Sequence, residues 1–426
     1  MLQYILYHTP LFYFIQSIWR DEAFSYFMSL PSAFSIIQNT AQDFNPPFYY
    51  LTLHFWIAIF GKSDIGLRLL SFLPHVGSTY IAYLLSRRFF SNRFSVFVAL
   101  FTFFNPMLLY YAFEIRMYSF YALFTFASIY FLIQKQWKWY VFSAVLGLYT
   151  HSFFPLVIVS FAIYFLFVNH SGKKIFLRIL QPLIFYLPWM PILLNQFIRS
   201  KDSWIFPVDF QLVKSVLGNI FTSYEGTPGD IWHYTGLLSL FIFAFFVFGI
   251  MKKPKTALLF FIPIVIPLLL VLTYSFIRRP IFVNRYLIFV AVFEILGVSF
   301  GIWVIKNRII RNIAVAAWFS LILLINLFLP PFHKKTDFKM TFAEINSFST
   351  KNDYVYAKTP ISFLESAYYY IYPENVFIYN PNDITIPSYI GTTVVFPLAS
   401  QKTFPPAPSR TFLIADDGTY DIVISR

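Results

Sequence analysis

From Ile65 to Leu329 the chain is a succession of apolar runs whose short connections alternate in character. Every second connection is basic and carries no Asp or Glu: Arg87, Arg88 and Arg93; Lys135 and Lys138; Lys173, Lys174 and Arg178; Lys252, Lys253 and Lys255; Lys306, Arg308 and Arg311. Apolar runs of this length cross a bilayer as helices, because a helix closes its own backbone hydrogen bonds, and basic connections stay on the cytoplasmic side. With 58% hydrophobic and 12% charged residues, the chain has too much apolar surface for a water-soluble core. Its solvent is membrane lipid. The formal charge of +13 is spread over the cytoplasmic connections rather than gathered in a groove, which excludes nucleic acid as a partner. There is no cysteine, so disulfides, thiolate metal sites and thiol nucleophiles are excluded as well.

The pattern predicts a polytopic α-helical membrane protein of about eleven transmembrane helices. They are expected over 2–18, 65–89, 94–110, 116–133, 139–150, 152–168, 176–195, 233–250, 256–276, 282–305 and 309–329, with the N-terminus inside. Residues 48–60 are too short to span comfortably and read as a helix lying on the bilayer surface, ended by Gly61. Residues 1–331 form the membrane domain on this reading. From 332 to 426 charged and polar residues return, with strand-like runs at 354–357, 376–379, 411–415 and 421–424 and helices near 337–349 and 361–371. This predicts a small extracytoplasmic α/β domain, read as a structural or acceptor-positioning cap.

Two loops on the outer side draw attention. Loop 19–47 concentrates Asp21, Glu22 and Asp43 in a chain with only 19 acids, beside the helix-stopping Pro46-Pro47 pair. Loop 196–232 carries Trp204, Pro207 and Trp232 with Asp202, Asp209, Glu225 and Asp230, and its length suits a lid or binding segment. The topology also gathers Asn45, Arg68, Glu114, Arg116, His151, Arg278, Arg279 and Arg285 at this face. Carboxylates there can take a proton from a hydroxyl or hold a divalent cation, and arginines can grip a phosphate. A lipid-linked phosphosugar presents both needs at that depth. Blander roles stand beside these: Glu114 and Arg116 as an ion pair capping a turn, and His151 as a hydrogen-bonded residue at a helix end. Glu294, inside the 282–305 run, has no assigned partner in the sequence.

Seven motifs, in order, carry a resemblance: Ile18-Trp19-Arg20-Asp21-Glu22-Ala23, Asp43-Phe44-Asn45-Pro46-Pro47-Phe48-Tyr49-Tyr50, Leu67-Arg68-Leu69-Leu70-Ser71, Glu114-Ile115-Arg116-Met117-Tyr118, Tyr149-Thr150-His151-Ser152-Phe153, Pro188-Trp189-Met190-Pro191 and Arg285-Tyr286-Leu287. Together they resemble bacterial membrane glycosyltransferases of the GT-C fold, family 39 type, similar to protein O-mannosyltransferases and aminoarabinose transferases. The chain departs from the family pattern at Asn45, where the family carries a histidine. The resemblance implies an inverting transfer of a hexose or pentose from a polyprenyl-phosphate donor to a lipid, glycan or protein acceptor. It further implies the bacterial cytoplasmic membrane, with active site and C-terminus outside. By matched position Asp21 would be the general base, and Glu22 and Asp43 would orient the acceptor or hold a metal if one is used. Arg68, Arg116 and Arg285 would hold the donor phosphate, with Asn45, Glu114, Tyr118, His151 and Tyr286 as further substrate contacts. Two other classes remain open at this point: a transporter or flippase of polyprenyl-linked sugar, and a non-catalytic subunit of cell-envelope polysaccharide assembly.

Overall fold

The computed structural model describes residues 2–170, 172–199, 204–223 and 231–425. Its contacts divide into two compact units: Met1–Phe12, Arg68–Asn195 and Ser203–Phe332 form the first, and Tyr13–Leu67, Gln196–Asp202 and His333–Arg426 the second. The acidic segment near the N-terminus and the C-terminal residues therefore belong to one unit, although the polarity of the sequence divides the chain near 331.

Among its described residues the first unit is built of helices. Trp232–Lys252, Pro254–Ile277, Asn284–Trp303 and Arg308–Phe328 are each long and apolar enough to cross a membrane, and so is Lys173–Arg199, which runs out of the unit at its end. Asn92–Phe104 and Pro106–Ala112 would make a sixth span together, bent by 55°. The bend is local chemistry: the Asn105 side chain accepts from the Leu108 N–H at 3.1 Å and so caps a new helix whose first residue is a proline. Tyr118–Ile133 and Pro155–Val168 are shorter apolar helices. The chain is thus a multi-pass membrane protein, with helix lengths less uniform than the hydropathy runs suggest. Every residue from Ile288 to Ile302 is buried, which makes this helix the centre of the unit. Gly301 permits its contact with the Trp232–Lys252 helix, because a Cβ there would lie 2.5 Å from the Phe245 carbonyl oxygen.

Three expectations need correction. The 2–18 run is not one helix: it forms Leu2–His8 and Leu11–Ile15, broken at Pro10, where the Thr9 hydroxyl donates to the Ile5 carbonyl at 2.7 Å. Segment 19–47 is largely helical, as Arg20–Met28 and Ala33–Gln42, the second capped by Ser32. Within 196–232 lies the helix Phe210–Thr222, capped by Asp209, which accepts from the Leu212 N–H at 2.7 Å. Asp209 is accordingly a structural acid, and Asp202, Glu225 and Asp230 lie outside the described residues.

The second unit carries a five-stranded sheet: β1 Asp353–Ala357, β2 Val376–Tyr379, β3 Ser400–Gln401, β4 Ser409–Ile414 and β5 Tyr420–Ser425, in the order β3-β2-β1-β4-β5. All neighbours are parallel except β4 and β5. The helices Phe338–Phe348 and Phe363–Tyr369 fall where the sequence places them. Gly391, at φ +81°, meets the acidic segment directly: a Cβ there would lie 2.4 Å from the Phe24 ring.

At the start of β1, Asp353 accepts from Arg410 of β4 at 2.6 Å and 3.0 Å and from the Thr350 N–H at 2.6 Å. Burial works against its ionisation, but these donors prevail and hold its pKa below the usual carboxylate value. The native protein therefore gives up this proton more readily than the unfolded chain. The contribution is present above the ordinary carboxylate range and is lost as pH falls through the native value. We expect Asp353→Asn to destabilise this unit by about 1–3 kcal/mol at pH 7. Unfolding followed against pH should also show the variant losing less stability than the parent on acidification.

Candidate functional site

Of the acidic residues singled out in the sequence, Glu22 is fully enclosed and paired. Its side chain is 0% exposed and pairs with Lys335 Nζ, itself 6% exposed, at 3.0 Å. The same carboxylate accepts from the Trp19 N–H at 3.3 Å, at the start of the Arg20–Met28 helix. Lys335 also lies 5.2 Å from the centre of the Trp19 ring. Asp21, the next residue on that helix, is more accessible, with 17% of its side chain exposed and Arg20 Nε 3.4 Å away. Asp43 is buried at the C-terminal end of Ala33–Gln42, and Asn45 follows it half-buried before the Pro46-Pro47 stop. Several links from the C-terminal residues fix the segment. Tyr369 Oη accepts from the Ile18 N–H at 2.7 Å, Ser17 Oγ accepts from the Lys339 N–H at 3.2 Å, and Gln16 Oε1 accepts from the Lys335 N–H at 3.2 Å.

Among the described residues no group of three or more His, Asp or Glu side chains could hold a metal ion. Glu22 is moreover committed to Lys335, so the possible cation site of Glu22 and Asp43 offers an incomplete ligand set.

The first unit assembles a second cluster. Arg116, Tyr118, His151, Arg285 and Tyr286 come together from three separate stretches of chain, and all but Tyr286 are buried. Arg116 sits in a tight turn, its N–H donating to the Glu114 carbonyl at 2.8 Å and its own carbonyl accepting from Ser71 Oγ at 3.2 Å. Ser71 lies one turn beyond Arg68, which is 0% exposed on the Asp64–Ser86 helix, and the Glu114 side chain is buried as well. The Arg116 guanidinium lies 5.9 Å from the Tyr118 ring, and that of Arg285 lies 5.2 Å from Trp204 and 5.9 Å from Tyr286. Arg278, by contrast, is exposed at a helix end.

His151 occupies the turn between the helices Trp137–Leu148 and Pro155–Ile163. Its Nδ1 accepts from the Phe153 N–H at 3.1 Å, which leaves the ring proton on Nε2. Nε2 is buried and has no hydrogen-bond partner among the described residues. Burial, then the positive charges of Arg116 and Arg285, lower the His151 pKa to about 3. The ring is consequently a neutral donor among cations. One face stacks on Tyr121 at 4.7 Å, and Tyr286 lies 5.5 Å away. The Tyr121 hydroxyl is likewise buried with no partner among the described residues. Two guanidinium groups, an imidazole N–H and a phenol in an aromatic wall can accept the charge and lone pairs of a phosphate.

Sequence reasoning missed Tyr121, Trp204 and Lys335. Tyr121 lies at helical spacing within an apolar run, where an aromatic reads as core. Lys335 sits in the polar stretch after the last span and gives no sign of a partner 313 residues earlier. Trp204 was visible only as one aromatic of a long loop.

Residues 45–194 match the family described as dolichyl-phosphate-mannose-protein mannosyltransferase, a range that includes Arg68, Glu114, Arg116 and His151 but not Asp21 or Arg285. No curated protein sequence matches the chain. Two crystal structures of ArnT from Cupriavidus metallidurans are similar to it at 12% identity, over 95% of this chain and 91% of theirs: the apo state with a TM-score of 0.60, and the state bound to undecaprenyl phosphate with 0.59. At that identity the likeness is one of fold, and it agrees with the GT-C resemblance of the motifs.

We expect the His151 ring, followed by NMR in histidine-labelled protein, to show no protonation between pH 5 and pH 8. In Arg116→Ala or Arg285→Ala its pKa should rise, since each change removes a positive charge that opposes protonation.

Proposed function

We propose that the chain is an inverting glycosyltransferase that moves a sugar from a polyprenyl-phosphate donor to an acceptor on the outer face of a bacterial cytoplasmic membrane. The observation that carries this reading is the buried cluster of Arg116, Arg285 and the neutral His151, with its Nε2–H unused among the described residues. Fixed positive charge and fixed donors suit a leaving phosphate, whose charge grows as its bond to the sugar breaks. An ArnT-like fold, known with undecaprenyl phosphate bound, supports the same class of lipid donor.

In the proposed reaction Asp21 takes the proton of an acceptor hydroxyl. The hydroxyl oxygen attacks the anomeric carbon on the face opposite the phosphate, the carbon–oxygen bond to phosphate breaks, and polyprenyl phosphate leaves with the electron pair. No nucleophilic side chain is required. Asp21 suits the base by its exposure, whereas Glu22, held by Lys335, suits the role of fixing the helix on which Asp21 sits. Asp43 and Asn45 are assigned to the acceptor. Arg68, Glu114, Tyr118 and Tyr286 are assigned to the donor beside Arg116, His151 and Arg285. The span count, the outward orientation of the C-terminal residues and the identity of lipid, glycan or protein as acceptor belong to this proposal too.

The test incubates the purified protein in vesicles with undecaprenyl-phosphate-linked mannose, glucose, galactose and aminoarabinose and measures free undecaprenyl phosphate. Release with one of them is expected. Asp21→Asn should lower the rate about 10²–10⁴-fold without unfolding the protein, and Arg285→Ala should lower it about 10²–10³-fold. Labelled sugar that crosses the vesicle without covalent attachment would point to a transporter, and indifference to Asp21→Asn to a non-catalytic subunit.

A further inference from the structure

Within the second unit, the helix Phe363–Tyr369 packs on the helix Arg20–Met28. Tyr368 meets Tyr26 edge to face at 5.1 Å, and Tyr369 receives the Ile18 N–H. Between these contacts sits Glu365. It is 5% exposed, and the backbone N–H groups of Arg20, at the beginning of the acidic helix, and of Glu365 itself lie close enough to favour its ionised form. Its Oε2 is buried with no hydrogen-bond partner among the described residues. Asp21 lies close enough to act on it electrostatically. An acid enclosed beside another acid is costly unless it keeps its proton or serves a purpose.

We infer that Glu365 is a positioning residue for Asp21, fixing the first turn of the acidic helix by its enclosed place against Arg20 and setting, by its own protonation, the charge that Asp21 faces. The inference rests on the reading of Asp21 as general base and extends it to the C-terminal residues. Burial, and to a smaller degree Asp21, push the Glu365 pKa up to about 8 against the opposing pull of the backbone donors and Arg20. At neutral pH the group is mainly the neutral acid. Above about pH 8 it becomes a second anion beside Asp21 in an enclosed site, and the placement of the helix is weakened.

Charged and titratable groups on the packed elements are otherwise engaged. Glu22 pairs with Lys335, Lys339 with Asp64, Asp353 with Arg410, and Glu344 accepts from Tyr420. Tyr356 donates to the Thr403 carbonyl, Tyr379 stacks on Phe404, Tyr354 lies against Phe377, and Glu374 is exposed. Arg20 and Asp21 are the side-chain charges that bear on Glu365, with Tyr26 on the same helix directed at Tyr368.

The full-length protein in vesicles, with Glu365→Gln, Glu365→Ala and Asp21→Asn, provides the test. Unfolding is read first, because it needs no donor. A raised native pKa means that the folded state holds the proton longer, so this contribution to stability is present below the ordinary carboxylate value and is lost as pH rises to about 8. Glu365→Gln should remove that loss and be the more resistant protein at pH 9. Transfer is then read as release of undecaprenyl phosphate from the four linked sugars named above. Glu365→Ala should lower kcat about tenfold with a smaller change in KM. Glu365→Gln, which keeps the size and the side-chain oxygen beside Arg20, should recover most of that loss and lack the decline above pH 8.

An alkaline decline and an unfolding profile identical in parent and Glu365→Gln would overturn the inference, as would full kcat in Glu365→Ala. Full activity of Asp21→Asn would instead remove the base assignment itself, so the two failures are told apart.

Discussion

The ion pair of Glu22 and Lys335 is the constraint on which the second unit is organised. A charge removed from water is tolerated when a counter-charge and further donors replace the solvent, and removal of either partner leaves the other stranded. Glu22 has both kinds of support, a lysine 313 residues further along the chain and the Trp19 N–H from its own helix start. Because this lysine comes from beyond the last span, the position of the acidic helix is a property of the unit and not of the segment alone. Tyr368, Tyr369, Lys339 and Gly391 extend the same dependence, each joining the C-terminal residues to a point between Ser17 and Asp64. Asp21 inherits its place from these contacts.

The first unit meets the opposite electrostatic situation, with positive charge concentrated and enclosed. Aromatic rings help to hold that charge, since their faces are electron-rich and cost little to bury. Tyr118, Tyr286 and Trp204 each lie within 6 Å of a guanidinium carbon. A ring steadies the cation and leaves most of its field available. His151 follows the same logic: among arginines a second proton is disfavoured, so the ring donates one hydrogen bond without adding charge.

Much of the helical frame was legible because hydropathy and basic connections are local signals. Trp232–Lys252, Pro254–Ile277 and Arg308–Phe328 fall within a few residues of the expected spans. The strands of the C-terminal sheet were legible for the same reason, each a short β-branched or aromatic run between turns. β3 was not, being two residues long and made of Ser400 and Gln401. The broken first run was misread because its apolar residues outweigh one proline in any average, although Pro10 alone decides the geometry. For the candidate site, types and order of residues were visible in the motifs, and the cluster around His151 unites five of them. Lys335 and Glu365 were beyond reach: each takes its meaning from a partner hundreds of residues away, and nothing in a polar stretch distinguishes a buried lysine or glutamate from a solvated one.

The reach of the Glu22–Lys335 contact has a consequence during synthesis. The acidic helix is made 313 residues before its counter-charge, and the tyrosines that anchor it follow later still. Until Lys335 has been made the pair cannot form, and Glu22 is a carboxylate without its counter-charge. The final placement of the acidic helix is thereby a late step of folding, set by chain made more than 300 residues after it.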